Sequence, residues 1–236
     1  MNELLLIGSL VFAFAAVLTA WRLFGKTGLY AMTVLCTITA NIEVMILVHA
    51  FGMDQTLGNV LFAASFLVTD ILSENEGKKA AGRAVNIGIF TSVIFILISQ
   101  SWMVYNAAEN GGVTEAIRMT FKGTPRVMLV SIVVYAVTQR FDVWLYHKIW
   151  ERTSRFSNGE KGSKAYLWLR NNGSTLTSQF LNTFLFTLGT FLGVYDTKVL
   201  ISILVSSYLI FIVTSLCDTP AVYVARRMKE KGRVPD

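Results

Sequence analysis

The stretch FLVTDILSENEGKKAAGR, residues 66–83, decides how the chain is read. It begins as an apolar helix, carries Asp70 and Glu74 one turn apart, and ends in the basic run of Lys78, Lys79 and Arg83. Carboxylates at i and i+4 share a helix face. A charge at the bilayer centre costs roughly 2.5–3.5 kcal/mol on translocon scales, so it normally faces a partner or a wet interior. Residues 66–83 therefore read as a helix leaving a membrane with its polar face turned inward.

The rest of the chain supports a polytopic membrane protein, an all-α bundle. Its 236 residues are 53% hydrophobic, 12% aromatic and 15% charged, with recurrent apolar runs of about 20 residues. Seven spans are predicted, at 4–24, 29–51, 57–75, 84–105, 127–150, 174–194 and 199–225. The third is short and carries Asp70. The first is read as a true span and not a signal peptide: MNE has no positive charge and the apolar run is too long for an h-region.

Charge placement sets the topology. One set of alternate loops, with the tail, holds 16 Lys and Arg residues, among them Arg22, Lys26, Arg152, Lys161, Lys164, Arg170 and Arg226. The other set holds four, Arg118, Lys122, Arg126 and Lys198, and Arg140 lies inside a span. The positive-inside rule then puts the N-terminus outside and the C-terminus in the cytoplasm after seven crossings. It also accounts for the net charge of +6 without nucleic acid as a partner; anionic lipid is compatible with the basic tail.

Two loops are longer. The outer one, 106–125, has room for a short amphipathic helix; the inner one, 151–173, is too short for a domain. No P-loop, dinucleotide fingerprint, zincin motif or nucleophile elbow occurs, so neither a cofactor nor an enzyme is expected. Cys36 and Cys217 read as small core residues, and His49 and His147, each near a span end, as interfacial or hydrogen-bonded groups.

The informative residues are the polar ones inside spans: Asn41 and Glu43; Asp70 and Glu74; Gln139, Arg140 and Asp142; Ser178, Gln179 and Asn182; and Asp218. At about 1.5 Å per residue, Asp70 lies roughly 12 Å above Lys78. Asp142, Gln179, Asn182 and Asp218 fall in the same slab, and Asn41 somewhat higher. Gln139 with Asp142, and Gln179 with Asn182, share faces at i,i+3. Five helices with polar faces at similar depth imply a polar cavity inside the bundle. Glu43 and Arg140, each costly alone, are expected to pair with each other.

These segments resemble a known family. FLVTDILSENEGKKAA is similar to the Thr-Asp-…-Glu-x-x-Gly-x-x-x-Ala segment of the queuosine precursor transporter family, also called the vitamin uptake transporter family. TQRFDVWLYHKI is similar to its Gln-x-x-Asp helix, NNGSTLTSQFLNTFLF to its Ser-Thr-…-Gln-x-x-Asp helix, and CDTPAVYVARRM to its closing Asp-Thr-Pro-x-x-Tyr segment. Asn41-Ile42 fits the Asn that opens the family core. The ordered set covers residues 41 to the end. It implies a six-helix core over 29–236, resembling the substrate-binding subunits of energy-coupling factor transporters, with residues 1–28 an additional N-terminal transmembrane helix.

The resemblance implies import of 7-deazapurine precursors of queuosine, such as queuine, preQ1 or preQ0, across the bacterial cytoplasmic membrane. A carboxylate accepts the adjacent N1–H and amine donors of a 7-deazaguanine, and an amide donates to O6. Asp70 and Asp142 are the expected carboxylates, and Asn41, Gln139, Gln179 and Asn182 the expected amides. Glu74, near the cytoplasmic exit, is expected to act as a gate tethering the following loop through Lys78 or Arg83, and Asp218 as a gating or structural group. Two positions depart from the family pattern: Asn182 replaces an Asp, and Ile210 a Lys. Facilitated, proton-coupled and module-driven transport stay open, as do a homo-oligomer, a transporter subunit for another vitamin-like solute and, last, an intramembrane enzyme.

Overall fold

Residues 2–43 form one helical run broken at a single residue. Gly25 has φ 56° and ψ −140°, within α1 (Asn2–Glu43). That backbone is open to glycine and strained for other residues. A Cβ there would also collide with the Pro235 carbonyl, since the C-terminal tail closes over the break. The two arms of α1 fold back on each other: Asn2 Nδ2 donates to the His49 carbonyl at 2.9 Å, and Phe51 N donates to Glu3 Oε1 at 3.4 Å. The computed structural model describes residues 1–105, 112–122, 125–156 and 166–235. Lys161 and Lys164 of the long basic loop therefore lie outside the described residues.

The second predicted span ends early. Its last residues form a β-hairpin, β1 (Leu47–Ala50) with β2 (Met53–Thr56), antiparallel with Ala50 opposite Met53. The two-residue loop, Phe51 (φ 55°) and Gly52 (φ 72°), has positive φ at both positions, as a type I′ hairpin turn requires. The Val/Ile-rich run before it suits a strand as well as a helix, and the Phe-Gly turn selects the strand.

The other elements are helical: α2 (Asn59–Asn75), α3 (Lys78–Ser101), α4 (Gly112–Lys122), α5 (Pro125–Phe156), α6 (Leu167–Phe191) and α7 (Thr197–Glu230). The chain is thus an all-α membrane bundle capped by one hairpin. Helices α1, α3, α5 and α7 are long and apolar enough to cross a membrane. Helix α2 has 17 residues, and α6 turns a polar face to the interior. The short helix anticipated in the outer loop is α4, which seats Phe121 against Phe95 and Trp102.

Helix α2 sits at the centre, packed on α1, α3, α5 and α7, while α5 pairs with α6 and α6 with α7. Its residues 63–73 are buried without interruption. Trp21, fully buried, donates Nε1 to the Ala225 carbonyl at 3.0 Å, tying the first arm of α1 to α7. The expectation of two core cysteines holds for Cys36 and fails for Cys217, which is exposed on α7. A small apolar residue tolerates a lipid-facing position as readily as a core one.

Candidate functional site

A cavity of about 450 Å³ lies at the hairpin end of the bundle. Exposed His49, Gly52 and Asp54 of the hairpin form its rim. Its walls come from α5 (Ser131, Val134), α6 (Asn182, Thr183, Phe186, Thr187) and α7 (Ser202, Ser206). Its floor is aromatic: Phe62 and Phe211 meet with ring centroids 6.1 Å apart, and Phe62 also contacts Phe66 at 5.3 Å. A concave, mostly apolar chamber with several hydroxyls and the amides of Gln55, Asn59 and Asn182 suits a small solute.

From this cavity a polar seam descends along α6. Of the twelve buried residues of α6, only Leu167 is apolar. Its aromatic residues Trp168, Phe180 and Phe184 face outward. This is the inverse of a soluble amphipathic helix and places hydroxyls and amides from the cavity wall down to Arg170.

Three aspartates meet this seam below the floor, one each from α2, α5 and α7. Asp70, Asp142 and Asp218 are all essentially buried. Thr175 donates to Asp70 Oδ2 at 3.2 Å, and Asn171 Nδ2 donates to Asp218 Oδ1 at 2.8 Å. Asn172 Nδ2 donates to Thr219 Oγ1 at 2.7 Å, beside Pro220, which interrupts the backbone ladder of α7. Asp142 faces Ser174 and Ser178, but those hydroxyls also reach the Asn171 and Ser174 carbonyls. Each hydroxyl can rotate to serve either acceptor. Asp70 Oδ1 has no hydrogen-bond partner among the described residues.

One turn further on, an ion cluster closes the seam. Glu74 receives Arg170 Nε at 2.9 Å and Nη2 at 2.7 Å, the Tyr146 hydroxyl at 2.6 Å, and Arg226 Nη1 at 2.9 Å. The Arg170 side chain is 1% exposed and that of Glu74 2%. The Arg170 guanidinium also lies 4.2 Å from the Trp150 ring centroid, a cation–π distance. Four helices, α2, α5, α6 and α7, are joined here.

The cavity, the seam and the closing cluster follow one another through the interior of the bundle. A family model described as "Putative vitamin uptake transporter" matches residues 56–225. The chain belongs to the vitamin uptake transporter family. A curated relative, "Probable queuosine precursor transporter" of Bacillus subtilis (strain 168), is 35% identical over 215 residues, which cover 91% of this chain and 90% of that protein. No solved structure matches, and the likeness to energy-coupling factor subunits stays an expectation. This vitamin uptake transporter family member is thus an integral membrane transporter, not an enzyme.

The transporter distributes the expected site residues over several roles. Asn182 lines the cavity, and Asn41 lines a small side pocket next to it. Gln139 is a clamp between helices: its Nε2 donates to Ser65 Oγ at 2.9 Å, and its Oε1 accepts from Thr69 at 3.1 Å. Gln179 is buried and its Oε1 accepts from Asn182 Nδ2 at 3.5 Å. Asp70 and Asp142 lie beneath the floor and line neither pocket. The polar slab expected to enclose a cavity is therefore packed, and the cavity sits above it.

Two pairings are corrected. Glu74 binds Arg170 and Arg226, not Lys78 or Arg83, and is not water-exposed. Glu43 and Arg140 do not pair: Arg140 donates to Asn86 at 3.1 Å on the outer face, and Glu43, half-buried at the end of α1, has no ion pair among the described residues. They belong to different levels of the bundle.

The residues that sequence reasoning missed, Arg170, Arg226 and Tyr146, close the end of the seam away from the hairpin. Arg170 was assigned to a basic loop because the sixth span was started at 174, whereas α6 begins at Leu167. The signal was present in the polar run RNNGST with helical spacing, but that run lacks the apolarity by which spans are found.

Proposed function

We propose that this transporter imports 7-deazapurine precursors of queuosine across the bacterial cytoplasmic membrane. The observation that carries the reading is the continuous polar face of α6, which links a cavity at one end of the bundle to buried carboxylates and an ion cluster at the other. The named activity of the Bacillus subtilis relative supports the substrate class. In this reading the cavity opens outward, the aromatic floor and the Glu74–Arg170–Arg226 cluster hold the inner end shut, and opening that end releases the solute.

Seven crossings fit the fold-back at Gly25, which makes two arms of α1 alongside α2, α3, α5, α6 and α7. With the basic residues inside, the hairpin faces out and the tail faces the cytosol. The core then spans 29–236, with residues 1–28 added in front. Asn182 is the amide best placed to meet solute in the outward state. The three aspartates meet it during passage, when the floor opens.

The test is tRNA queuosine content in bacteria unable to make the precursors, with and without this gene, fed queuine, preQ1 or preQ0 separately. Restored queuosine with at least one of them is expected. Restoration by none, with the protein present in the membrane, refutes the reading.

A further inference from the structure

Beside the cavity is a second, much smaller one of about 10 Å³, and Ala40, Phe62 and Ser131 line both. Two buried polar atoms on its walls have no hydrogen-bond partner: Asn41 Oδ1 and the Tyr135 hydroxyl. Both residues are more than nine-tenths buried. Asn41 is held rigidly, its Nδ2 donating to the Thr37 carbonyl at 2.7 Å and to Ser92 Oγ at 3.4 Å, which leaves its oxygen as a fixed acceptor.

The bundle makes room for the Tyr135 hydroxyl. Gly88 of α3 faces it, and a Cβ at that position would collide with the hydroxyl oxygen. A buried hydroxyl without a partner destabilises a fold, and phenylalanine would fill the same slot without that cost. A glycine cleared for an unpartnered hydroxyl, across from an unpartnered amide oxygen, marks a place where a ligand completes the hydrogen bonding. The pocket is about the size of one water, so it admits the edge of a ring and not a ring. Phe62 packs edge-on against Tyr135, with centroids 6.2 Å apart, and turning that ring aside joins the pocket to the cavity.

We infer that Asn41 and Tyr135 form a subsite for the lactam edge of the transported base, with Asn41 Oδ1 accepting the ring N–H and the Tyr135 hydroxyl donating to the adjacent carbonyl. The inference rests on the proposed 7-deazapurine reading and deepens it. It moves recognition of this edge from Asp70, beneath the floor, to the wall between α1 and α5. Phe62 then stacks on the face of the bound ring.

The experiment compares 7-aminomethyl-7-deazaguanine with its counterpart lacking the ring carbonyl oxygen, by calorimetry on the purified full chain. Wild type should prefer the lactam. Tyr135→Phe should weaken the lactam about tenfold, the size expected for one well-placed hydrogen bond, leave the carbonyl-free ligand unchanged, and preserve or raise thermal stability. Gly88→Ala, which displaces the hydroxyl, should reduce the same preference. An unchanged lactam preference in Tyr135→Phe overturns the subsite and leaves a structural tyrosine, whether or not water fills the pocket. No preference in wild type overturns it too. If wild type binds neither ligand, the substrate reading itself falls and the subsite falls with it.

Discussion

Replacing Glu74 by alanine should be among the most damaging single changes in the bundle. Glu74 receives four polar contacts, two of them a bidentate pair from an Arg170 whose side chain is 1% exposed. Removing one partner of a buried pair leaves the other charge desolvated and costs about 3–5 kcal/mol. For a chain of this size, about 1 kcal/mol shifts the melting temperature by roughly 2–4 °C, so a loss of roughly 6–20 °C is expected. The control is Glu76→Ala, two residues away. Glu76 pairs with Lys229 at 2.6 Å, but their side chains are 21% and 42% exposed, and such pairs contribute about 1 kcal/mol or less. Thermal unfolding of both variants in the same detergent decides it. Equal shifts for the two would refute the inference that the Glu74 cluster is dry and holds α2, α5, α6 and α7 together. Glu74→Ala combined with Arg170→Met should recover part of the loss, because no buried guanidinium is then left at that position.

Other outcomes follow from the same geometry. Gly25→Ala should destabilise by at least about 1–2 kcal/mol, the cost of a strained backbone position, and Pro235 adds a collision; denaturation of the purified chain measures it. Gln139→Ala should cost about 1–3 kcal/mol through the two buried interhelical hydrogen bonds to Ser65 and Thr69 that it removes, without changing which ligand is preferred. Asp142→Asn should leave thermal stability unchanged or higher, because it removes a fully buried carboxyl whose facing Ser174 and Ser178 hydroxyls keep the Asn171 and Ser174 carbonyls as acceptors, while cellular uptake falls; a marked drop in stability would make Asp142 a structural residue. Single cysteines at Asp54 and at Glu230 in a background lacking Cys36 and Cys217 should label from opposite sides of the membrane, Asp54 from outside.

Much of the bundle was legible because apolar runs of membrane length are a strong signal. The breaks between them were placed less well. The hairpin at 47–56 was hidden because Val and Ile serve a membrane helix and a strand equally, and the deciding Phe51-Gly52 turn is two residues long. The start of α6 was hidden by its own function: a helix whose buried face is Arg, Asn, Ser and Thr does not look like a span until the partners of those groups are visible. The polar residues inside spans were correctly singled out, but depth along a helix says nothing about which side chains find each other. Gln139 and Asp70 sit at neighbouring levels, yet Gln139 is taken up by Ser65 and Thr69 while Asp70 meets Thr175 with one oxygen and leaves the other free. Arg170 and Arg226 read from the sequence as loop and tail charges, and both reach Glu74.

The central claim is that this chain moves a 7-deazapurine through its own interior. The direct measurement is accumulation of radiolabelled preQ1 by liposomes that contain the purified chain and no other protein. Uptake above that of empty liposomes, competed by unlabelled preQ1 and queuine but not by biotin, is the predicted result. Uptake no greater than in empty liposomes, from protein shown to bind preQ1, would contradict the claim and make the chain a binding subunit that needs an energising partner.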